Sequence, residues 1–186
     1  MGSLIYSAIA SLDGYIEDAN GAFDWGAPDA EVHGFVNELE RSVGTYLYGR
    51  RMYDTMLYWE SAPFDDSVSA LHRDFTRIWQ AAQKIVYSRT LDSVSSAKTR
   101  LERRFDAEAI RHLKSASGDD LTVGGADLAG QAIAANLVDE LQLFVVPVIV
   151  GGGKPWLPQD VHLSLELVES HRFASDVVFL RYRPAT

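Results

Sequence analysis

The stretch from Glu140 to Val150 constrains the fold more than any other part of the chain. After Glu140 it reads Leu-Gln-Leu-Phe-Val-Val-Pro-Val-Ile-Val, with Gln142 its one polar side chain. A strand this apolar has no face to give to water, so the pattern predicts a central strand buried on both faces of a helix-covered sheet. Phe144, Val146 and Val148 fall on one face, and Leu143, Val145 and Pro147 on the other. Helices can cover one face locally; the second calls for a partner, which predicts a homodimer through the C-terminal strands. The uninterrupted apolar run, Leu143 to Val150, is eight residues long and contains Pro147. That is far short of the roughly 20 residues of a membrane-spanning helix.

The remaining periodicities alternate strand and helix. Leu4 to Ala10 reads as a first strand, followed by a Ser11-Leu12-Asp13-Gly14 turn, a short extended piece Tyr15 to Glu17, and a loop from Asp18 to Pro28. Val32, Phe35, Val36, Leu39 and Val43 repeat at helical spacing, with Asp29 placed as N-cap. Thr45 to Tyr48 predicts a strand, closed by Gly49 and followed by a helix start at Arg50, Arg51, Met52 and Tyr53. Leu71 to Ala82 is amphipathic and leads to a strand, Lys84 to Tyr87; a further strand near Lys98 to Glu102 and a helix from Ala107 to about Lys114 follow. Leu121 to Val123 passes through Gly124 and Gly125 into a helix opened by Ala126 and Asp127. Two strands between His162 and Tyr182, turning near Ala174 and Ser175, complete an α/β fold with an antiparallel C-terminal edge. With 186 residues and no repeat, the chain suits one domain.

Composition removes several functions. There is no cysteine, so disulfides, thiolate nucleophiles, iron–sulfur clusters and the common structural zinc sites are excluded together. A net charge of −9, with the arginines scattered along the sequence, disfavours a nucleic-acid partner. The N-terminus enters a strand pattern without a basic segment ahead of an apolar one, which leaves a cytoplasmic location as the expectation. The five histidines show no ligand spacing, so no metal is expected.

Three strand ends share one chemical habit. Gly49-Arg50-Arg51, Ser88-Arg89-Thr90 and Gly124-Gly125-Ala126 each put small or cationic residues at the carboxyl end of a strand, where open α/β sheets bind ligands. A helix N-terminus offers unpaired N–H groups, glycine permits close approach, and arginine pairs with phosphate. The set describes a dinucleotide site. Neither G-x-G-x-x-G nor a Walker P-loop occurs, since Gly153-Lys154 is followed by Pro155 and Val148 stands where the first glycine belongs.

In their order, Ser11-Leu12-Asp13-Gly14-Tyr15-Ile16, Asp24-Trp25, Gly49-Arg50-Arg51-Met52-Tyr53, Ser88-Arg89-Thr90, Val123-Gly124-Gly125 and the block from Val138 through Pro147 to Gly153 resemble the dihydrofolate-reductase-like superfamily. The nearest branch contains the reductase domain of the riboflavin-biosynthesis deaminase/reductase. The resemblance implies a three-layer α/β/α domain and an NADPH-dependent reductase, with 5-amino-6-(5-phosphoribosylamino)uracil as candidate substrate and pairing into homodimers. By motif, Ala8 and Ile9 would face the nicotinamide, Gly49 and Arg50 the phosphates with Arg51 assisting, and Ser88, Arg89 and Thr90 the adenosine 2′-phosphate. Gly124, Gly125, Ala126 and Leu128 would hold the pyrophosphate at a helix start. Two departures argue against dihydrofolate reductase itself: the arginine expected before the Lys84 strand is missing, and an extra helix, Leu71 to Ala82, intervenes.

The proton donor is the open position. Asp13, Asp29 and Glu31 are the candidates, beside a pocket closed by Trp25. Asp13 also fits a plain Asp-Gly turn, and Asp29 as N-cap would be held ionised by first-turn N–H groups. Glu31 shares the face of Phe35, four positions on, and is the expected acid; water is the alternative. Rival functions are a non-catalytic nucleotide- or flavin-binding module and, less well supported, a hydrolase, for which no G-x-S-x-G elbow exists.

Overall fold

A computed structural model describes residues 1–185. In chain order the strands are β1 (Leu4–Ser11), β2 (Tyr15–Asp18), β3 (Val43–Gly49), β4 (Gln83–Tyr87), β5 (Thr99–Glu102), β6 (Asp120–Gly124), β7 (Glu140–Val146), β8 (Gly153–Pro155), β9 (Leu165–Arg172) and β10 (Val178–Pro184). The helices are α1 (Ala30–Glu40), α2 (Arg50–Met56), α3 (Ala70–Ala81), α4 (Ala107–Ala116) and α5 (Ala126–Ala134). Eight strands form one sheet in the order β5-β4-β3-β6-β1-β7-β10-β9. Pairing is parallel from β5 to β7 and antiparallel from β7 through β10 to β9.

Helices pack on both faces. On one, α4 and α5 cover Leu4, Tyr6, Leu47, Leu121, Val123 and Leu141. On the other, α2 and α3 pack Tyr53, Phe75 and the fully buried Trp79 against Tyr46, Tyr48 and Val86, while α1 lays Val32 and Phe35 over Phe144 and Phe179. Caps mark three helix starts, the expected one at Asp29, whose Oδ1 accepts from Val32 N at 2.9 Å, and two more at Ser69, whose Oγ accepts from His72 N at 3.1 Å, and Asp106, which accepts from Glu108 N and Ala109 N. Among the described residues no helix is long and apolar enough to cross a membrane.

The central strand is shorter than its apolar run predicts. It ends at Val146, and residues 147–150 leave the sheet, with Ile149 72% exposed. The cause is one local and one tertiary effect: Pro147 has no N–H to give a ladder, and the Asp13 carboxylate accepts from Val150 N and Gly151 N at 3.1 and 2.8 Å, bending the segment toward the first turn. Beyond the bend, β8 pairs with β2 as a separate two-stranded sheet over the carboxyl edge of the large one.

Candidate active site

The strand order reverses direction between β3 and β6. From β3 the chain goes through α2 on one face, and from β6 through α5 on the other, which opens a crevice between the two strand ends. The two helix starts meet there. Gly49, the N-cap of α2, lies so close to Gly125, the N-cap of α5, that a Cβ on Gly125 would stand 3.8 Å from the Gly49 Cα. Gly125 has φ +98°, a conformation that favours glycine, and a Cβ on Gly124 would come within 2.9 Å of Met52 and Tyr48 side chains. Glycine is therefore required twice for this junction to close.

A cavity of about 1190 Å³ opens from the crevice and runs between the sheet and α1. Its wall includes Ala8, Ile9, Gly49, Arg50, Arg51, Ser88, Arg89, Gly124, Gly125, Ala126 and Leu128, eleven of the residues expected to bind a dinucleotide. Thr90 is not in the wall; its hydroxyl accepts from Arg50 Nη1 at 2.8 Å and so steadies that guanidinium. The Ser88 hydroxyl accepts from Thr90 N and Leu91 N, which commits it to shaping its own loop. Arg51 is held in a two-point ion pair with Glu17 of β2, at 3.1 and 3.0 Å.

Scattered in sequence, the arginines gather in space. Arg103 and Arg104, between β5 and α4, join Arg50 and Arg89 along the same wall. Arg103 donates to the carbonyls of Ser88 and Leu91, whereas Arg89 and Arg104 have no hydrogen bond or ion pair among the described residues. Two unengaged guanidinium groups on the same wall as two helix N-termini give this part of the cavity a local positive potential in a chain of net charge −9. The Arg103-Arg104 contribution comes from the parallel pairing of β4 with β5, and the sequence signal for it was only a pair of arginines in an irregular charged stretch.

The four candidate acid and pocket residues lie elsewhere. None of Asp13, Trp25, Asp29 and Glu31 is in the wall of the large cavity. Glu31 does share the face of Phe35, but that face meets the β9–β10 turn: Phe35 packs on His171, Phe173 and Phe179, and Glu31 Oε2 accepts from Ala174 N at 3.0 Å. Asp29 caps α1 at a smaller neighbouring cavity of about 240 Å³; the Ser175 hydroxyl and then the Val32 N–H hold its carboxyl below the ordinary range. Asp13 is likewise held low, by the Ser11 hydroxyl first and by the Gly151 and Val150 amides. Trp25 sits in a 3-10 turn and donates to Ala22 O. From the same loop Gly21, Phe23 and Pro28, and from β2 before it Ile16 and Glu17, do line the large cavity.

One side of the cavity is walled by α1 and β3: His33, Val36 and Glu40 at helical spacing, and Tyr46 and Tyr48 at strand spacing. Burial pushes the Glu40 carboxyl up to about 7, while burial and then the nearby His72 lower His33. An acid within the inward stripe of α1 was the available sequence signal for this end.

Fold and crevice together define a dihydrofolate-reductase-like α/β protein. The family model of the RibD C-terminal domain matches residues 3–179, and the chain belongs to that family. It is 30% identical over 181 residues to the uncharacterized protein YyaP of Bacillus subtilis, covering 96% of this chain and 93% of that one. Among solved structures, a Shewanella sp. PV-4 protein named for riboflavin biosynthesis is 22% identical, with a TM-score of 0.77 and 99% of each chain covered. A diaminohydroxyphosphoribosylaminopyrimidine deaminase/5-amino-6-(5-phosphoribosylamino)uracil reductase of Thermotoga maritima is 16% identical, with a TM-score of 0.70; the match covers 99% of this chain and 57% of that one. A pyrimidine reductase-like protein of Corynebacterium diphtheriae is 14% identical, with a TM-score of 0.66, and 100% and 92% covered.

Proposed function

We propose that this protein is a cytosolic, single-domain, NADPH-dependent reductase of a small heterocyclic or carbonyl substrate, with reduction of 5-amino-6-(5-phosphoribosylamino)uracil as the candidate reaction. One observation carries the reading: the paired helix starts at Gly49 and Gly125 stand beside unengaged Arg89 and Arg104 on the wall of a cavity that continues between apolar surfaces. A dinucleotide with an extra phosphate suits that gradient from cationic to apolar, and the names of the Thermotoga and Corynebacterium proteins support the same chemistry. In this reading Gly49, Gly124, Gly125, Ala126 and Leu128 receive the pyrophosphate, with Arg50 over the phosphates and Arg51 held by Glu17. Arg89, with Arg103 and Arg104 and the loop shaped by Ser88 and Thr90, takes the 2′-phosphate. Ala8 and Ile9 border the nicotinamide, and NADPH supplies a hydride when bound.

The protein's own work is alignment and exclusion of water, to which Ile16, Phe23 and Pro28 contribute from the loop over the cavity. Because Glu31 and Asp29 are engaged outside the wall, we assign the proton to water entering at that loop. The loop's share in the cavity favours turnover over a non-catalytic binding module. Calorimetric titration with NADPH and NADH, then a screen of pyrimidines and carbonyl compounds for NADPH oxidation, tests the proposal; equal affinity for the two cofactors, or no binding of either, would overturn it.

A further inference from the structure

Four charged side chains on the cavity wall alternate in sign from α2 to α5. Arg51 on α2 pairs with Glu17 on β2, Glu17 stands opposite Lys154 in the β2–β8 register, and the Lys154 ammonium donates to Asp127 Oδ2 at 2.6 Å in the first turn of α5. The last pair is lopsided: the Lys154 side chain is 25% exposed and that of Asp127 85%. The backbone beside Lys154 is fixed on both sides. Gly153 packs against the Glu17 carbonyl, while Trp156 donates its N–H to Gly14 O and accepts from the Tyr6 hydroxyl at 2.6 Å. Lys154 is thus held in place and aimed at the start of α5, and its partner stands open to water. An ion pair with so exposed a partner contributes little to stability, so a brace is a poor account of it.

We propose that Lys154 binds the diphosphate of the ligand and that Asp127 competes with that diphosphate for the ammonium, setting the affinity of the site. This rests on the reading of the cavity as a dinucleotide site and adds to it a residue from the small sheet. A phosphate oxygen can replace Asp127 Oδ2 on the ammonium, since both are anionic acceptors, and the displaced carboxylate turns into water at little cost. Lysine suits the exchange, because three donors on a compact charge can hold a phosphate while the cross-strand Glu17 stays beside it. Glu17 cannot leave in the same way: its side chain is only 18% exposed and Arg51 holds it at two points. The Arg51–Glu17 pair therefore anchors β2 on α2, and the β2–β8 ladder places Lys154. A phosphate at the start of α5 meets Asp127 as a like charge, which is the other half of the competition.

Calorimetric titration of the full chain with NADPH, NADH and inorganic pyrophosphate tests the exchange. Lys154→Met should weaken all three at least about tenfold, the size expected of one charge-assisted hydrogen bond, and leave the NADPH/NADH ratio unchanged. Lys154→Arg, which keeps the charge, should retain most of the affinity. Asp127→Asn should tighten all three about two- to fivefold, the size expected of an exposed ion pair. The opposite signs are decisive, because a brace would be broken by either variant and both would then weaken binding. Asp127→Asn that fails to tighten binding, or Lys154→Met that leaves it unchanged, overturns the inference; a changed NADPH/NADH ratio in Lys154→Met overturns it too, by moving Lys154 to the 2′-phosphate. Tight nucleotide binding that ignores both variants sinks this inference alone. Absent nucleotide binding in the wild type sinks the reductase reading, and pyrophosphate then decides: opposite responses of the two variants uphold the competition, and any other result ends it.

Discussion

At the scale of single residues, charge and capping divide the labour. Arg89 is exposed and unengaged, so Arg89→Ala should leave stability unchanged and weaken NADPH at least about tenfold more than NADH, as loss of a charged hydrogen bond to the 2′-phosphate requires. An unchanged NADPH/NADH ratio would make it a bystander. Glu31 ties α1 to the β9–β10 turn, so Glu31→Gln should keep turnover and cofactor affinity; a tenfold fall in turnover would return it to the chemistry. Glu40 and Asp29 shift stability with pH in opposite senses. The folded state keeps the Glu40 proton between about 4.5 and 7, where the unfolded chain releases it, so its contribution makes stability fall as pH rises through that window. Glu40→Gln should then be more stable than the wild type above pH 7, by about 3 kcal/mol, in urea titrations at several pH values. Asp29 titrates below its ordinary range when folded, so its contribution is present above the unfolded value and disappears as pH falls through the folded one. Gly49, Arg50, Arg89, Gly124 and Gly125 on the cavity wall were legible because glycine and arginine at strand ends have a local reason to be there. Glu40 was harder to read: an acid in the inward stripe of α1 was the one local hint, and its burial comes from the packing of α1 over β3.

At the scale of elements, alternation and caps announce nearly every strand and helix, and the misses have tertiary causes. The Glu140–Val150 run reads as one strand until Asp13, from the far end of the chain, takes the Val150 and Gly151 amides. The small β2–β8 sheet depends on a glycine whose sequence neighbours give no hint of the pairing: Gly153 has φ +140°, and a Cβ there would stand 2.0 Å from the Glu17 carbonyl oxygen. Gly153→Ala should therefore cost roughly 1–3 kcal/mol through backbone strain and separate β8 from β2. Hydrogen exchange should quicken at Tyr15–Asp18, and the Arg51–Glu17 pair, carried on β2, should loosen with it. Protection unchanged across β2 would show that the pairing is not what holds this flap.

At the scale of the whole molecule, the sheet ends on a strand with no cover. Every residue of β9 but Glu169 is exposed, and Leu167 and Val168 are 55% and 48% exposed. On the α5 side Leu143, Val145, Val178, Leu180 and Tyr182 are only half-buried, and continue this apolar surface across β7 and β10. A second copy related by a two-fold axis would bury it. Light scattering should give twice 20.6 kDa, and Leu167→Asp should shift it to the monomer; a wild-type monomer at micromolar concentration would refute the pairing. The position of β6 also governs when the proposed phosphate site can form. β1 and β3 are the first long strands made, yet they are not neighbours: β6 lies between them and emerges only after β4, β5 and α4. Until it inserts, Gly49 has no Gly125 beside it. Closing contacts so distant along the chain is slow relative to local structure, so during refolding the Gly49–Gly125 junction should appear only with the last closure of the sheet, and a chain paused before Asp120 holds one half of the proposed phosphate site without the other.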